Sequence, residues 1–231
     1  MLMAYNLASP VGGGCMDPED GGLTAFGRSL IDEMERVGMV VCCTHTGHRT
    51  AADVLSRATR PVIFSHSNAT AVHHHARNID DGLIKACAAT GGVIGLNGIG
   101  EFLCPLGADM TEAFVMHCDH VVQLVGPAHV GLAFDHVFDI DELENYLRAN
   151  PTMFPPERHL IPFRQLSFEA LGDIVERLVG PTGTLRRSSA AITCASHRRS
   201  GSRLLKVLRL LQIKALRVYQ SAFGSASAAA C

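Results

Sequence analysis

The chain has 231 residues, of which 47% are hydrophobic and 18% charged, and its formal net charge is −2. That apolar content supplies a sizeable core and excludes a fully disordered chain. The net charge hides an asymmetry: residues 1–180 carry 22 acidic and 11 basic side chains, whereas residues 181–231 carry nine basic ones and no acid. Two kinds of sequence are joined, so the domain reading is one folded unit over 1–180 and a basic tail over 181–231.

No apolar run reaches the roughly 18 residues that cross a bilayer, and no basic-then-apolar leader opens the chain. A cytoplasmic location without membrane association is therefore expected. The eight cysteines, at 15, 42, 43, 87, 104, 118, 194 and 231, include no CxxC pair. A chain this long and apolar needs no disulfide scaffold, so free thiols in a reducing compartment are expected.

In chain order, short apolar runs alternate with amphipathic segments. Residues 1–5 (MLMAY) read as a strand, followed by a Gly-rich polar loop. A helix bearing Leu30, Ile31, Met34 and Val37 ends at Gly38, an ordinary stop. Residues 39–45 are β-rich and too short for a helix, and a helix follows over about 49–58. A strand at 61–66 precedes a helix over about 80–90, and Gly91-Gly92 leads into a strand at 93–97. Residues 111–125 form a helix with Phe114, Val115, Cys118, Val121, Val122 and Val125 on one side. A strand at 129–135 and a helix at 167–179 complete the pattern. Near-continuous apolar strands alternating with helices predict a parallel α/β sheet buried on both faces.

Four of the five strands end in a polar residue suited to chemistry: His45, His66, Asn97 and Asp135. Adjacent parallel strands lie about 4.8 Å apart, so two histidines at equivalent ends can converge on one ion. Each can equally cap its strand end by bonding to backbone. Both readings stand on spacing alone.

The segments GGLTAFGRSLIDEMERVGMVVCCTHTG, RPVIFSHSNA, ARNIDD, HCDHVVQLVGPAHVGLAFD and VFDIDELENYLRANPTMFPP together resemble the membrane (renal) dipeptidase family of zinc peptidases, over residues 1 to about 180. The resemblance implies a partial (β/α)8 TIM barrel of the metal-dependent hydrolase type, with zinc as cofactor and a dipeptide as substrate. It implies His45 and His66 as zinc ligands and Arg77 as the anchor of the substrate's terminal carboxylate, a role suited to a guanidinium fork. Asp135 matches the aspartate that relays a proton to the leaving amine. Tyr5 matches a position facing the substrate carbonyl.

Departures accompany the resemblance. The family holds two zinc ions, and its His-x-Asp pair and bridging glutamate would precede Tyr5; none has a counterpart here. At most one partial zinc site is therefore expected, with weak or absent activity. His117-Cys118-Asp119 also spells His-x-Asp, but it falls on a predicted helix and reads as a surface face. His73, His74 and His75 read as a solvent-exposed loop.

The tail does not align with the family. Arg203, Lys206, Arg209, Lys214 and Arg217 fall on one side of a helical wheel and Leu204, Leu208, Leu211, Ala215 and Val218 on the other. A basic amphipathic helix over about 203–219 is one reading, and an unselected tail the other. Nucleic-acid binding is not expected, because no aromatic platform accompanies the positive charge. No G-x-S-x-G elbow or phosphate loop occurs. The rival to a zinc dipeptidase is a non-catalytic fragment. It would act by self-association into a homo-oligomer through open strand edges, or on a membrane surface through the basic helix.

Overall fold

The computed structural model describes residues 1–152, 154 and 162–179. The basic helix expected over 203–219 lies outside the described residues.

Helix α1 (Ala25–Val37) starts where the Thr24 hydroxyl accepts from the Gly27 N–H and stops at Gly38, whose φ of 77° is left-handed. Its buried positions, Gly27, Ile31 and Met34, are spaced as one face of a helix requires. Strand β1 (Val41–Cys42) follows, then helix α2 (His48–Arg57). The N-cap of α2 is Gly47, which has no side chain to offer. Asp20, from the Gly-rich loop, does the capping instead: its carboxylate accepts from the Thr50 N–H at 2.9 Å and the Thr50 hydroxyl at 2.6 Å. Burial pushes the Asp20 carboxyl up, but hydrogen bonds from Thr50 and Gly22 outweigh it and hold the group below the usual carboxylate range.

Strand β2 (Val62–Ile63) leads to helix α3 (Asp81–Ala89), capped by the Asp80 side chain on the Leu83 N–H. Strand β3 (Ile94–Leu96), the short helix α4 (Gly100–Leu103), helix α5 (Met110–Val125) and strand β4 (Val130–Leu132) follow. Helices α6 (Ile140–Ala149) and α7 (Ala170–Val179) close the described chain. Neither α4 nor α6 is expected from the sequence pattern.

Among the described residues, the pairings between successive strands run parallel and in chain order. Leu2 bridges Cys42; β1 pairs with β2 in the register Val41 to Val62; Phe64 bridges Ile94; and β3 pairs with β4 in the register Ile94 to Val130. The five expected segments thus lie side by side, although regular ladders cover only two or three residues of four of them, and residues 1–5 join through the single Leu2–Cys42 bridge. At the strand ends side chains join the backbone bonding. The His66 N–H, for example, is received by the Thr44 hydroxyl at 3.1 Å. The result is a mixed α/β unit with a parallel sheet and interleaved helices.

The core forms between that sheet and the helices. Val62, Phe64, Ile94 and Leu96 from the strands meet Ile31, Val54, Ile84, Phe114, Val121 and Ile174 from the helices, all at 0–1% exposure. Burying each such side chain contributes about 1.5–3 kcal/mol. No described helix is long and apolar enough to cross a membrane.

His117 is not on a surface face but has 0% exposure. Its Nδ1 accepts from the Ala69 N–H at 3.1 Å, and its Nε2–H donates to the Leu103 carbonyl at 3.0 Å. Cys118 beside it is buried as well. The helix face that buries Phe114 and Val121 includes position 117, so the histidine goes inside with both ring nitrogens satisfied by backbone. The His73–His75 loop is corrected in part. His74 is exposed, but the His73 Nε2–H donates to the Glu101 carbonyl at 3.2 Å, and the His75 ring lies 4.7 Å from Phe102.

Candidate functional site at the strand ends

The chain turns sharply where the strands end. Among the described residues, three non-glycine residues have positive φ: Asn6 (61°), His45 (66°) and Asp135 (56°). All three lie at one site, and left-handed backbone at a non-glycine residue costs free energy that folded structures concentrate at functional positions. His45 and Asp135 are strand-end residues singled out by sequence; Asn6 is not.

These turns bring the histidines together. The Nε2 atoms of His45 and His66 are 2.9 Å apart, with ring centroids at 5.0 Å. The Nδ1 of His45 lies 2.7 Å from Asn6 Oδ1, and the Nδ1 of His66 lies 2.9 Å from the Ser65 hydroxyl. Tyr5 stacks on the His45 ring at 4.1 Å. Arg77 reaches the same point: one of its terminal nitrogens, Nη2, lies 3.1 Å from His45 Nε2. The other, Nη1, is buried and has no hydrogen-bond partner. The guanidinium sits 5.1 Å from the centre of the Phe102 ring. Asp135 accepts from the Asn97 amide at 3.0 Å and stands 3.8 Å from His66 Nε2.

Tyr5, His45, His66, Arg77 and Asp135 all line one cavity of about 240 Å³. Apolar side chains complete its lining, among them Leu143 and Leu147 of α6 with Val137, Phe154 and Phe163. Sequence reasoning missed this apolar lining and Asn6. Asn97 was visible as a strand end, and its task here is to hold Asp135. A larger and more open groove of about 590 Å³ runs between α2 and α3. The titratable groups among its described lining are His48 and Asp80, paired with each other at 3.4 Å, so the groove gathers no comparable chemistry.

Burial dominates the electrostatics. It drives the His45 imidazole down to about 2, with Arg77 and then His66 adding to the effect. His66 is also lowered by burial, with Asp135 opposing. Both rings are therefore neutral near neutral pH, the form that ligates metal. Burial also lowers Arg77 and raises Tyr5.

The pair fits zinc as two of its ligands. In zinc sites imidazole nitrogens sit about 2.0–2.1 Å from the ion, which places two tetrahedral ligands roughly 3.3 Å apart. The observed 2.9 Å is short of this by only a few tenths of an ångström. Among the described residues no group of three or more His, Cys, Asp or Glu side chains is placed to hold a metal.

A family model described as membrane dipeptidase, peptidase family M19, matches residues 1–151. Two curated dipeptidases of Schizosaccharomyces pombe, both described as uncharacterised, are similar in sequence. One is 38% identical over 130 residues, 55% of this chain and 30% of that protein. The other is 34% identical over 161 residues, 68% of this chain and 39% of that protein. The chain thus spans about a third of the length of the curated relatives it matches. Among solved structures, an amidohydrolase from Pseudomonas aeruginosa superposes with a TM-score of 0.74 at 23% identity, over 97% of this chain and 64% of that one, a likeness of fold. A metallopeptidase from Rhodobacter sphaeroides, solved with a phosphinate mimic of the dipeptide L-Ala-D-Ala, gives a TM-score of 0.54 at 26% identity, over 76% of this chain and 54% of that one. With the family model covering well over half of its length, this chain belongs to the membrane dipeptidase family of peptidases.

Proposed function

We propose that this chain carries part of the active site of a zinc-dependent dipeptidase, on a portion of a (β/α)8 barrel. The observation that carries the reading is the meeting of His45 and His66 beside a buried guanidinium that has a nitrogen to spare. His45 and His66 would hold zinc, which when bound supplies Lewis acidity and an activated water.

The chain's own residues do the rest. Arg77 is 4% exposed and its Nη1 lacks a partner, so a dipeptide's terminal carboxylate is the anion that completes it. Asp135, oriented by the Asn97 amide, is the group that passes a proton to the leaving amine. Tyr5 packs on His45 and faces the substrate. The apolar lining from α6 excludes water, which strengthens each of these interactions. Free thiols at the six described cysteines support a reducing compartment such as the cytoplasm.

Catalytic zinc sites normally use three protein ligands and a water. Two ligands make a weak site, so zinc is expected to leave the purified chain on dialysis and turnover is expected to be slow. Tight stoichiometric retention of zinc would contradict this. The same shortage is what favours the rival reading, a non-catalytic fragment. Assay of a dipeptide and of its C-terminal amide, with zinc in excess, separates the two. The dipeptidase reading expects hydrolysis of the free acid, none of the amide, and loss of activity in His66→Ala. Equal rates for His66→Ala and the unsubstituted chain would remove it.

A further inference from the structure

We propose that Asn6 is the positioning residue that sets His45 in the tautomer whose Nε2 lone pair faces the cavity; this rests on the dipeptidase reading of the site. A guanidinium has donors only, so the His45 nitrogen that faces Arg77 at 3.1 Å is the one with the lone pair. A neutral imidazole carries its single proton on the other nitrogen. That nitrogen, Nδ1, therefore donates to Asn6, which must present its carbonyl oxygen across the 2.7 Å contact. The Cys15 thiol points at the same oxygen from 3.6 Å, consistent with an acceptor there.

The arrangement is held from behind. Asn6 is 2% exposed and left-handed, a conformation that asparagine tolerates better than most residues. Its backbone carbonyl accepts from the Met16 N–H at 2.8 Å, and the His45 carbonyl accepts from the Cys15 N–H at 3.0 Å. One short segment, residues 14–16, thus grips the backbones of both residues. Its first member must be glycine, because a Cβ on Gly14 would stand 2.1 Å from the Asn6 carbonyl oxygen. An acceptor fixed on Nδ1 is the usual way a protein aims the other nitrogen of a metal-ligating histidine, and its loss typically costs 10–100-fold in metal affinity.

Three chains labelled with 15N-histidine test this in the absence of metal, followed by zinc titration: the unsubstituted chain, Asn6→Gly and Asn6→Asp. Glycine keeps the positive φ but offers no acceptor; aspartate keeps an acceptor. The expected result is a His45 signature with the proton on Nδ1 in the unsubstituted chain. Asn6→Gly should show a mixture of tautomers and zinc affinity lower by about tenfold, and Asn6→Asp should restore both. A folded Asn6→Gly with unchanged His45 tautomer and zinc affinity would overturn the proposal, as would failure of Asn6→Asp to restore them. If the tautomer behaves as stated while no dipeptide is hydrolysed, the positioning role stands and the dipeptidase reading falls.

Discussion

Two buried histidine environments in this protein differ in what surrounds the ring, and the difference separates structure from chemistry. His117 has both nitrogens occupied by backbone, the Ala69 N–H on one side and the Leu103 carbonyl on the other. It can take no further partner and joins α5 to the loop after β2. His45 has its Nδ1 on a neutral side chain, Asn6, while its Nε2 meets His66 and Arg77 at the edge of a cavity. Both histidines are buried and both are driven down, to about 4 and about 2. Burial alone therefore does not mark a functional histidine. What marks it is a nitrogen shared with a second imidazole and an incompletely bonded cation at the edge of a cavity.

Substitutions at the two places should sharpen that contrast. The largest effect on catalysis is expected at Arg77. Arg77→Met should lower kcat/KM for a dipeptide about 100-fold or more, since a desolvated charge partner of the carboxylate is removed. Preference for the free acid over the amide should vanish with it. Stability should not fall, and a rise of about 1 kcal/mol is expected, because a buried charge without a carboxylate partner is replaced by an apolar side chain. Rate assays and urea unfolding of one preparation check both halves.

His117→Ala should do the reverse. It leaves the Ala69 N–H and the Leu103 carbonyl without partners and opens a cavity, at a combined cost of about 4 kcal/mol. The zinc response of His45 in the folded fraction should not change. Urea unfolding gives the first quantity, and imidazole NMR the second.

Acid should act through the same residue. The folded-state value of about 4 lies below the ordinary value of 6.5, and burial is the main cause. Between those values the unfolded chain binds the extra proton, so the contribution rises with pH over that interval. It is fully present above pH 6.5 and is lost as pH falls to about 4, by roughly 3 kcal/mol. The stability gap between the unsubstituted chain and His117→Gln should narrow by about that amount when urea unfolding is repeated at lower pH. A gap independent of pH would contradict the assignment. The smallest effect is expected from Thr24→Ala, which removes the cap of α1 for about 1 kcal/mol and leaves the cavity untouched.

Much of this was legible in the sequence, and the parts that were not have physical reasons. Helices α1, α2, α3, α5 and α7 announced themselves because apolar residues recur at helical spacing between stop signals such as Gly38. The strand order followed from strand–helix alternation, which parallel pairing in chain order requires. Helix α6 carries the same signal, Ile140, Leu143 and Leu147 at helical spacing, and escaped because that stripe is short and set among charged residues. Asp20 was unreadable as a cap for α2 because the helix it serves lies some thirty residues further on. Asn6 carried a signal in hindsight: an asparagine directly after Tyr5 at the end of a strand is suited to left-handed backbone. The misplacement of His117 came from counting only apolar residues on the α5 face, although position 117 falls on the same stripe as Phe114 and Val121.

The meeting of His45 and His66 is tested most directly by titrating zinc into the full chain while following both imidazoles by 15N NMR. Resonances of the two rings should move together, saturate at one ion per chain, and lose their response in His66→Ala. Zinc that shifts one ring without the other, or that acts only at His73, His74 and His75, would contradict the shared site.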